Sequence, residues 1–228
     1  TMVVDQANAF AFKIDDIEER HSHVNFEALA TSSGAFSLKR KYDANILQAM
    51  ADGAGITGTT IGTAASPVDI TGSGNEDAAV NLLLSMARLM DDNSVPEENR
   101  WFVAPPIFYE NMFKAGAKFA EVQVTGDATS PLRNGLVMQG NIAGFNCYKS
   151  TVLNNSGTDV VTITSQDTTN DFVVLGGHMS STSTASHIAK TEVVRSTETF
   201  SDIVRGLHVF GRKVLRPEAL AVGVVKTD

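Results

Sequence analysis

VPEENRWFVAPPIFYENMF, residues Val95 to Phe113, joins a strand pattern to a helix pattern across two prolines. Within it Arg100 to Ala104 (RWFVA) gathers aromatic and β-branched side chains in a short run, which reads as a buried strand. Pro105 and Pro106 stop that strand, because a proline brings no N–H to a ladder, and a short amphipathic helix follows from Ile107 to about Ala115. Upstream, the apolar run through Val80, Leu83, Leu84, Met86, Ala87 and Met90 reads as another helix. Asn75 is placed to cap it, with Glu76 and Asp77 in its first turn, and Asp91, Asp92, Asn93 and Pro96 end it. Helix, strand and helix in succession make the centre of the chain mixed α and β.

Toward the amino terminus, Ile17, His21, Val24, Ala28, Thr31, Ala35, Leu38, Tyr42 and Ala49 recur at helical spacing. One continuous helix from Ile17 to Met50 would be roughly 50 Å long at about 1.5 Å per residue. Two helices broken at Gly34 fit the same pattern, since Thr31, Ser32, Ser33 and Gly34 are weak helix formers. After Asp52 the Gly-, Thr- and Ser-dense stretch GAGITGTTIGTAASPVDITGSGN reads as loop or short edge strands. Beyond the central unit, Leu136 to Met138, Phe145 to Ser150, Val160 to Thr164 and Phe172 to Leu175 read as short strands. Ile188 to Val225 reads as strands again, ending in ALAVGVV after Pro217. Between Lys190 and Arg216 the basic residues Lys190, Arg195, Arg205, Arg212, Lys213 and Arg216 outnumber Glu192, Glu198 and Asp202.

The 228 residues suffice for one large domain or two small ones. With 18 Lys and Arg against 26 Asp and Glu, the formal net charge is −8, which argues against a sequence-independent nucleic-acid binder, because such proteins displace counterions with Lys and Arg. The single Cys147 cannot form an intrachain disulfide, and no Cys and His spacing suits a zinc site. No run approaches the ~20 apolar residues of a membrane span, and TMVVDQANAF lacks the pattern of a signal peptide.

Chemistry finds no centre in the sequence. Gly53-Ala54-Gly55-Ile56-Thr57-Gly58 satisfies the dinucleotide spacing, but it follows a helix where that motif needs a strand before it and a helix after it. His21 and His23 point about 200° apart on a helix and cannot share a metal unaided. His178, His187 and His208 give no reason to choose a trio. Asp15 with Asp16, and Asp91 with Asp92, read as charges at element ends. Cys147 reads as a small buried hydrophobe, and Trp101 as core. No catalytic, cofactor-binding or metal residue is assigned.

Five segments together resemble a known family. They are AFAFKIDDIEERHSH (Ala9 to His23) with KRKYDANILQAM after it, VPEENRWFVAPPIFYENMF, LVMQGNIAGFNCYKSTVL (Leu136 to Leu153), HMSSTSTASHIAKTEVVRSTETFSD and IVRGLHVFGRKVLRPEALAVGVV (Ile203 to Val225). In this order they resemble the major capsid proteins of tailed bacteriophages with the Hong-Kong-97-type fold, over nearly the whole chain. The first looks like the strand returning from that family's extended loop and then its spine helix. The last looks like the final strand pair. The family usually carries an amino-terminal arm and the outgoing half of the extended loop before the residues that begin here, so the resemblance implies a missing front.

The resemblance implies an α+β fold with a long spine helix. Residues 1–13 would be the returning strand, 14–52 with 188–216 the peripheral domain, and 53–187 with 217–228 the axial domain. It implies a structural virion protein and not an enzyme, without cofactors, assembled in the host cytoplasm with copies of itself as pentamers and hexamers. Scaffolding, portal and decoration proteins would be its other partners. The packaged DNA would be enclosed without sequence-specific binding, and no membrane is involved. Glu18 and Glu19 of one subunit are expected to meet Arg195, Arg205 or Arg212 of another. Rival readings are an encapsulin-like nanocompartment shell with the same fold, a small α/β enzyme, and a tail or fibre component.

Overall fold

A computed structural model describes residues 1–16, 26–71, 75, 77–114, 141–155, 159–167 and 169–227. Chain contacts divide it into two compact units, Thr1–Ile46 with Ser183–Lys213, and Leu47–Thr182 with Val214–Asp228.

The first unit is built on three long strands and a helix. Strand β1 (Gln6–Asp15) pairs antiparallel with the late strand Ser201–Val214, in register from Gln6 opposite Phe210 to Asp15 opposite Ser201. Helix α1 (Phe26–Asp52) runs without a break through Gly34, about 40 Å at ~1.5 Å per residue. Gly34 is there for space. A methyl added at it would sit 2.4 Å from Cε2 of Phe10, and one added at Gly206, opposite Phe10 in the ladder, 2.3 Å from Cε1. The ring lies between two glycines, which is why a weak helix former occupies the helix interior and another the strand interior. Tyr42 continues this contact, with its ring 4.7 Å from Phe210 and 5.0 Å from His208.

The expected stripe is partly corrected by this packing: Ala28 and Ala35 are exposed, and Gly34, Ala44 and Ala51 are buried. The inward face follows the Phe10 ring rather than the sum of apolar side chains. The expected helical residues Ile17, His21 and Val24 lie outside the described residues, as do Glu18, Glu19 and His23.

The second unit holds β2 (Val68–Asp69), α2 (Ala78–Asp92), β3 (Arg100–Ala104), α3 (Pro106–Lys114), β4 (Asn141–Ile142), β5 (Phe145–Lys149) and β6 (Asp171–His178). The chain then forms the first unit's hairpin, β7 (Thr182–Arg195) and β8 (Ser201–Val214), and ends in β9 (Leu220–Lys226). The smaller sheet has the order β1-β8-β7 and the larger β2-β9-β6-β3-β5-β4. The larger sheet is mixed, with β3 and β5 parallel and β6 antiparallel to both β3 and β9. Leu82, Leu83, Met86 and Met90 of α2 and Phe108 and Met112 of α3 join Phe102, Phe145, Val174 and Val225 of the sheet in one core. The apolar runs DFVVLGG and LAVGVV are buried at every position, as expected for central strands covered on both faces.

Two expectations fail here. Asn75 does not cap α2. The helix begins at Ala78 with Asp77 in the cap position and no side-chain cap bond, and Asn75 takes part through its backbone, its carbonyl accepting from the Ala78 N–H in a turn at 2.9 Å. Val160 to Thr164 is not a strand: its N–H groups are met singly, Val161 by the Val152 carbonyl and Thr162 by the Gln48 side chain, so no ladder forms. The expected strand Leu136 to Met138 and the end of the short helix at Ala115 lie outside the described residues.

Candidate functional site

The motif that matched dinucleotide spacing is a seam along β9. Gly55 N–H donates to the Pro217 carbonyl at 2.8 Å, and a methyl at Gly55 would sit 2.7 Å from that carbonyl. Ile56 and Ala221 form a parallel bridge. A little further on, Gly62 has φ +86°, and its missing side chain leaves room for the Val224 carbonyl, to which it would otherwise come within 1.9 Å. These glycines let backbone approach backbone.

Most of the chemistry-bearing side chains are held in structural pairs. His178 Nδ1 contacts Ser180 Oγ at 2.8 Å, and His208 Nε2 contacts Ser186 Oγ at 2.9 Å. Asp92 pairs with Arg88 at 3.2 Å. Burial raises the Cys147 thiol to about 11, which keeps it protonated and inert at neutral pH. Tyr109 beside it is also shifted upward by burial, and its hydroxyl donates to the Tyr148 carbonyl at 2.9 Å. Half-buried Trp101 lies over Gly177, where an added methyl would come within 2.7 Å of the indole. Among the described residues no three His, Cys, Asp or Glu side chains gather as a metal site, and no helix is long and apolar enough to cross a membrane.

Arg100, unremarked as a single residue in the sequence, is with Asp171 one of two charged side chains buried among the described residues. Its side chain is 2% exposed, donates to the Pro96 carbonyl at 2.8 Å and to the Val95 carbonyl, and pairs with Asp91 at 2.7 Å. It ties the 91–100 connection together, in which Ser94 and Asn99 hold positive φ. The signal was its place at the head of an otherwise apolar strand.

The three arginines expected at subunit contacts all lie on the β7–β8 hairpin, but separately. Arg195 binds Asp16 and Asp202, at 2.7 and 3.0 Å through Nη1, and these carboxylates hold its guanidinium firmly charged. Arg205 binds Glu192, which Lys190 also reaches at 3.0 Å. Lys190 first and Arg205 second push the Glu192 carboxyl below its ordinary range. Arg212 donates to Asn45 Oδ1 of α1 at 3.1 Å. Arg195 and Arg205 remain about half exposed. Asp16 is the partner the sequence reading missed, 179 positions away from Arg195.

The open surfaces of this unit are apolar grooves. One of about 580 Å³ has Ala9, Ala11 and Leu207 beneath Lys190, Glu192 and Arg205. Another of about 450 Å³ lies between α1 and the hairpin, over Leu38, Tyr42, Leu207 and His208. Large side chains stand free as well, with Phe200 83% and Phe36 70% exposed. Exposed apolar surfaces of this kind suit contacts with other chains.

Comparison with known proteins agrees. The family model described as phage capsid protein matches residues 3–223. Among solved structures, Mycobacterium phage Che8 is 26% identical with a TM-score of 0.73, covering 97% of this chain and 71% of that one. The capsid of cyanophage P-SCSP1u is 20% identical with a TM-score of 0.69, covering 100% and 73%. A virus-like particle from Pyrococcus furiosus is similar in fold, at 11% identity and a TM-score of 0.57, covering 95% and 75%. A search of curated proteins finds no match. The five ordered segments, the mixed fold and the family match over almost the whole length lead to one conclusion: the chain belongs to the phage capsid protein family and is a major capsid subunit, a component of the virion.

Proposed function

We propose that this subunit builds the head by joining copies of itself into pentamers and hexamers, and that it performs no catalysis. The family match over residues 3–223 carries this reading. Stable shells need repeated contacts above roughly 1,000 Å², and a subunit with apolar grooves and free aromatic side chains is suited to make them.

Residues 1–13 are assigned to the returning strand of the extended loop, 14–52 with 188–216 to the peripheral domain, and 53–187 with 217–228 to the axial domain. The two contact units favour a division of this kind. Scaffolding, portal and decoration proteins are the further partners proposed. The net charge of −8 suits a subunit that encloses DNA without gripping it. At the subunit boundary Glu18 and Glu19 are proposed to face Arg195, Arg205 or Arg212 of a neighbour, and the half-exposed guanidinium groups of Arg195 and Arg205 can each accept a further carboxylate.

The test is electron microscopy with sedimentation of the full-length gene product, expressed alone and with its neighbouring genes. Closed shells or rings of five and six support the reading. A monomer under every condition overturns it, and shells filled with an enzyme in place of DNA would move the chain to the nanocompartment class.

A further inference from the structure

The tip of the β7–β8 hairpin is built to present one side chain. Ser196 N–H donates to the Ser201 carbonyl at 3.0 Å and Ser201 N–H to the Thr199 carbonyl at 2.9 Å. The hydroxyls of Ser196, Thr199 and Ser201 form a chain of contacts at 3.1 and 2.7 Å. Asp16 N–H donates to the Phe200 carbonyl at 3.3 Å, and Asp16 itself is bound to Arg195 at the end of β7. On this fixed tip Phe200 is 83% exposed, with exposed Glu198 two residues before it. A backbone already fixed in the presenting conformation leaves less freedom to be lost on docking.

The same unit holds a surface complementary to it. The groove of about 450 Å³ between α1 and the hairpin has an aromatic floor, Tyr42 and His208, and aliphatic walls, Leu38 and Leu207, under a rim that carries Lys39 and Lys190. No acidic residue lines it, although Lys190 also pairs with Glu192 from outside it. The groove therefore offers aromatic contact for a ring and positive charge for an acid beside that ring.

Phe200 cannot fill the groove of its own subunit. Tip and groove belong to one hairpin, and the seven residues from Phe200 to Leu207 along β8 set them roughly 23 Å apart at about 3.3 Å per residue. We infer that Phe200 of one copy seats on the Tyr42 and His208 floor of a second copy of this chain, with Glu198 facing Lys39. This inference rests on the shell-forming reading. Each copy carries both knob and hole, so the contact can be repeated head-to-tail from copy to copy around a ring.

The experiment uses the full-length chain. Phe200→Ala is compared with wild type by sedimentation and by thermal unfolding of the unassembled subunit. In parallel, Glu198→Cys with Lys39→Cys, in a Cys147→Ser background, is assembled, oxidised and mapped by peptide mass spectrometry. The expected results are an assembled fraction lower by about ten-fold or more in Phe200→Ala with unchanged unfolding, and a disulfide between copies in the paired-cysteine shells. Wild-type assembly of Phe200→Ala, or paired-cysteine shells without that disulfide, overturns the contact while leaving the capsid reading intact. A wild-type chain that forms no assembly overturns both, so the two failures are told apart.

Discussion

At the scale of single residues, the most informative positions are those where a local rule is broken and the packing explains it. Gly34 occupies a helix interior at a cost of about 1 kcal/mol relative to alanine, and the Phe10 ring is the reason. Gly34→Ala is therefore expected to destabilise the chain by about 1–3 kcal/mol despite its better helix propensity, and Phe10→Leu in the same chain to recover part of the loss in denaturant melts. Arg100 is the second such position. Replacing it with Ala leaves the Val95 and Pro96 carbonyls without their donor, and a buried polar group left unsatisfied costs about 1–3 kcal/mol. Urea unfolding of Arg100→Ala against wild type measures this loss.

At the scale of elements, the β7–β8 hairpin is held across its strands by ion pairs whose acid limit can be worked out. Glu192 is pushed below its ordinary carboxylate range in the folded chain, chiefly by Lys190 and then by Arg205. A depressed acid stabilises above its unfolded value, and that contribution is lost as pH falls through the lowered folded one. Amide protection in the hairpin, taken relative to the intrinsic exchange rate at each pH, should therefore be level from neutral pH into the ordinary carboxylate range and fall below it, and Glu192→Gln should remove that acid step. Arg100 to Ala104, α3 after the two prolines, and the buried runs of β6 and β9 were readable in the sequence because each rests on local pattern. The Asn75 cap and the Val160 to Thr164 strand were misread, because a backbone turn and the distant Gln48 side chain decide those stretches. The surface at the hairpin was legible only as an excess of basic residues. Which carboxylate each arginine takes depends on Asp16 and Glu192, which pairing and not spacing brings near.

At the scale of the whole molecule, β9 holds more of the second unit than its seven residues suggest. It pairs with β6 along its length, takes β2 on its other edge, and bonds to Ile56 and Gly62 in the glycine-rich stretch. A chain stopped after Ala219 should lose protection from proteolysis throughout residues 53–70 as well as in β6, and limited digestion followed by mass spectrometry reads this directly. The order β2-β9-β6-β3-β5-β4 also carries a consequence for timing. β9 leaves the ribosome after every other described strand, yet its place is inside the sheet, between partners made earlier. At ~5–20 residues per second during synthesis, the larger sheet stays open until residue 226 has emerged. A nascent subunit is thus not ready to join a shell before that residue has emerged, which delays assembly among chains crowded on one messenger.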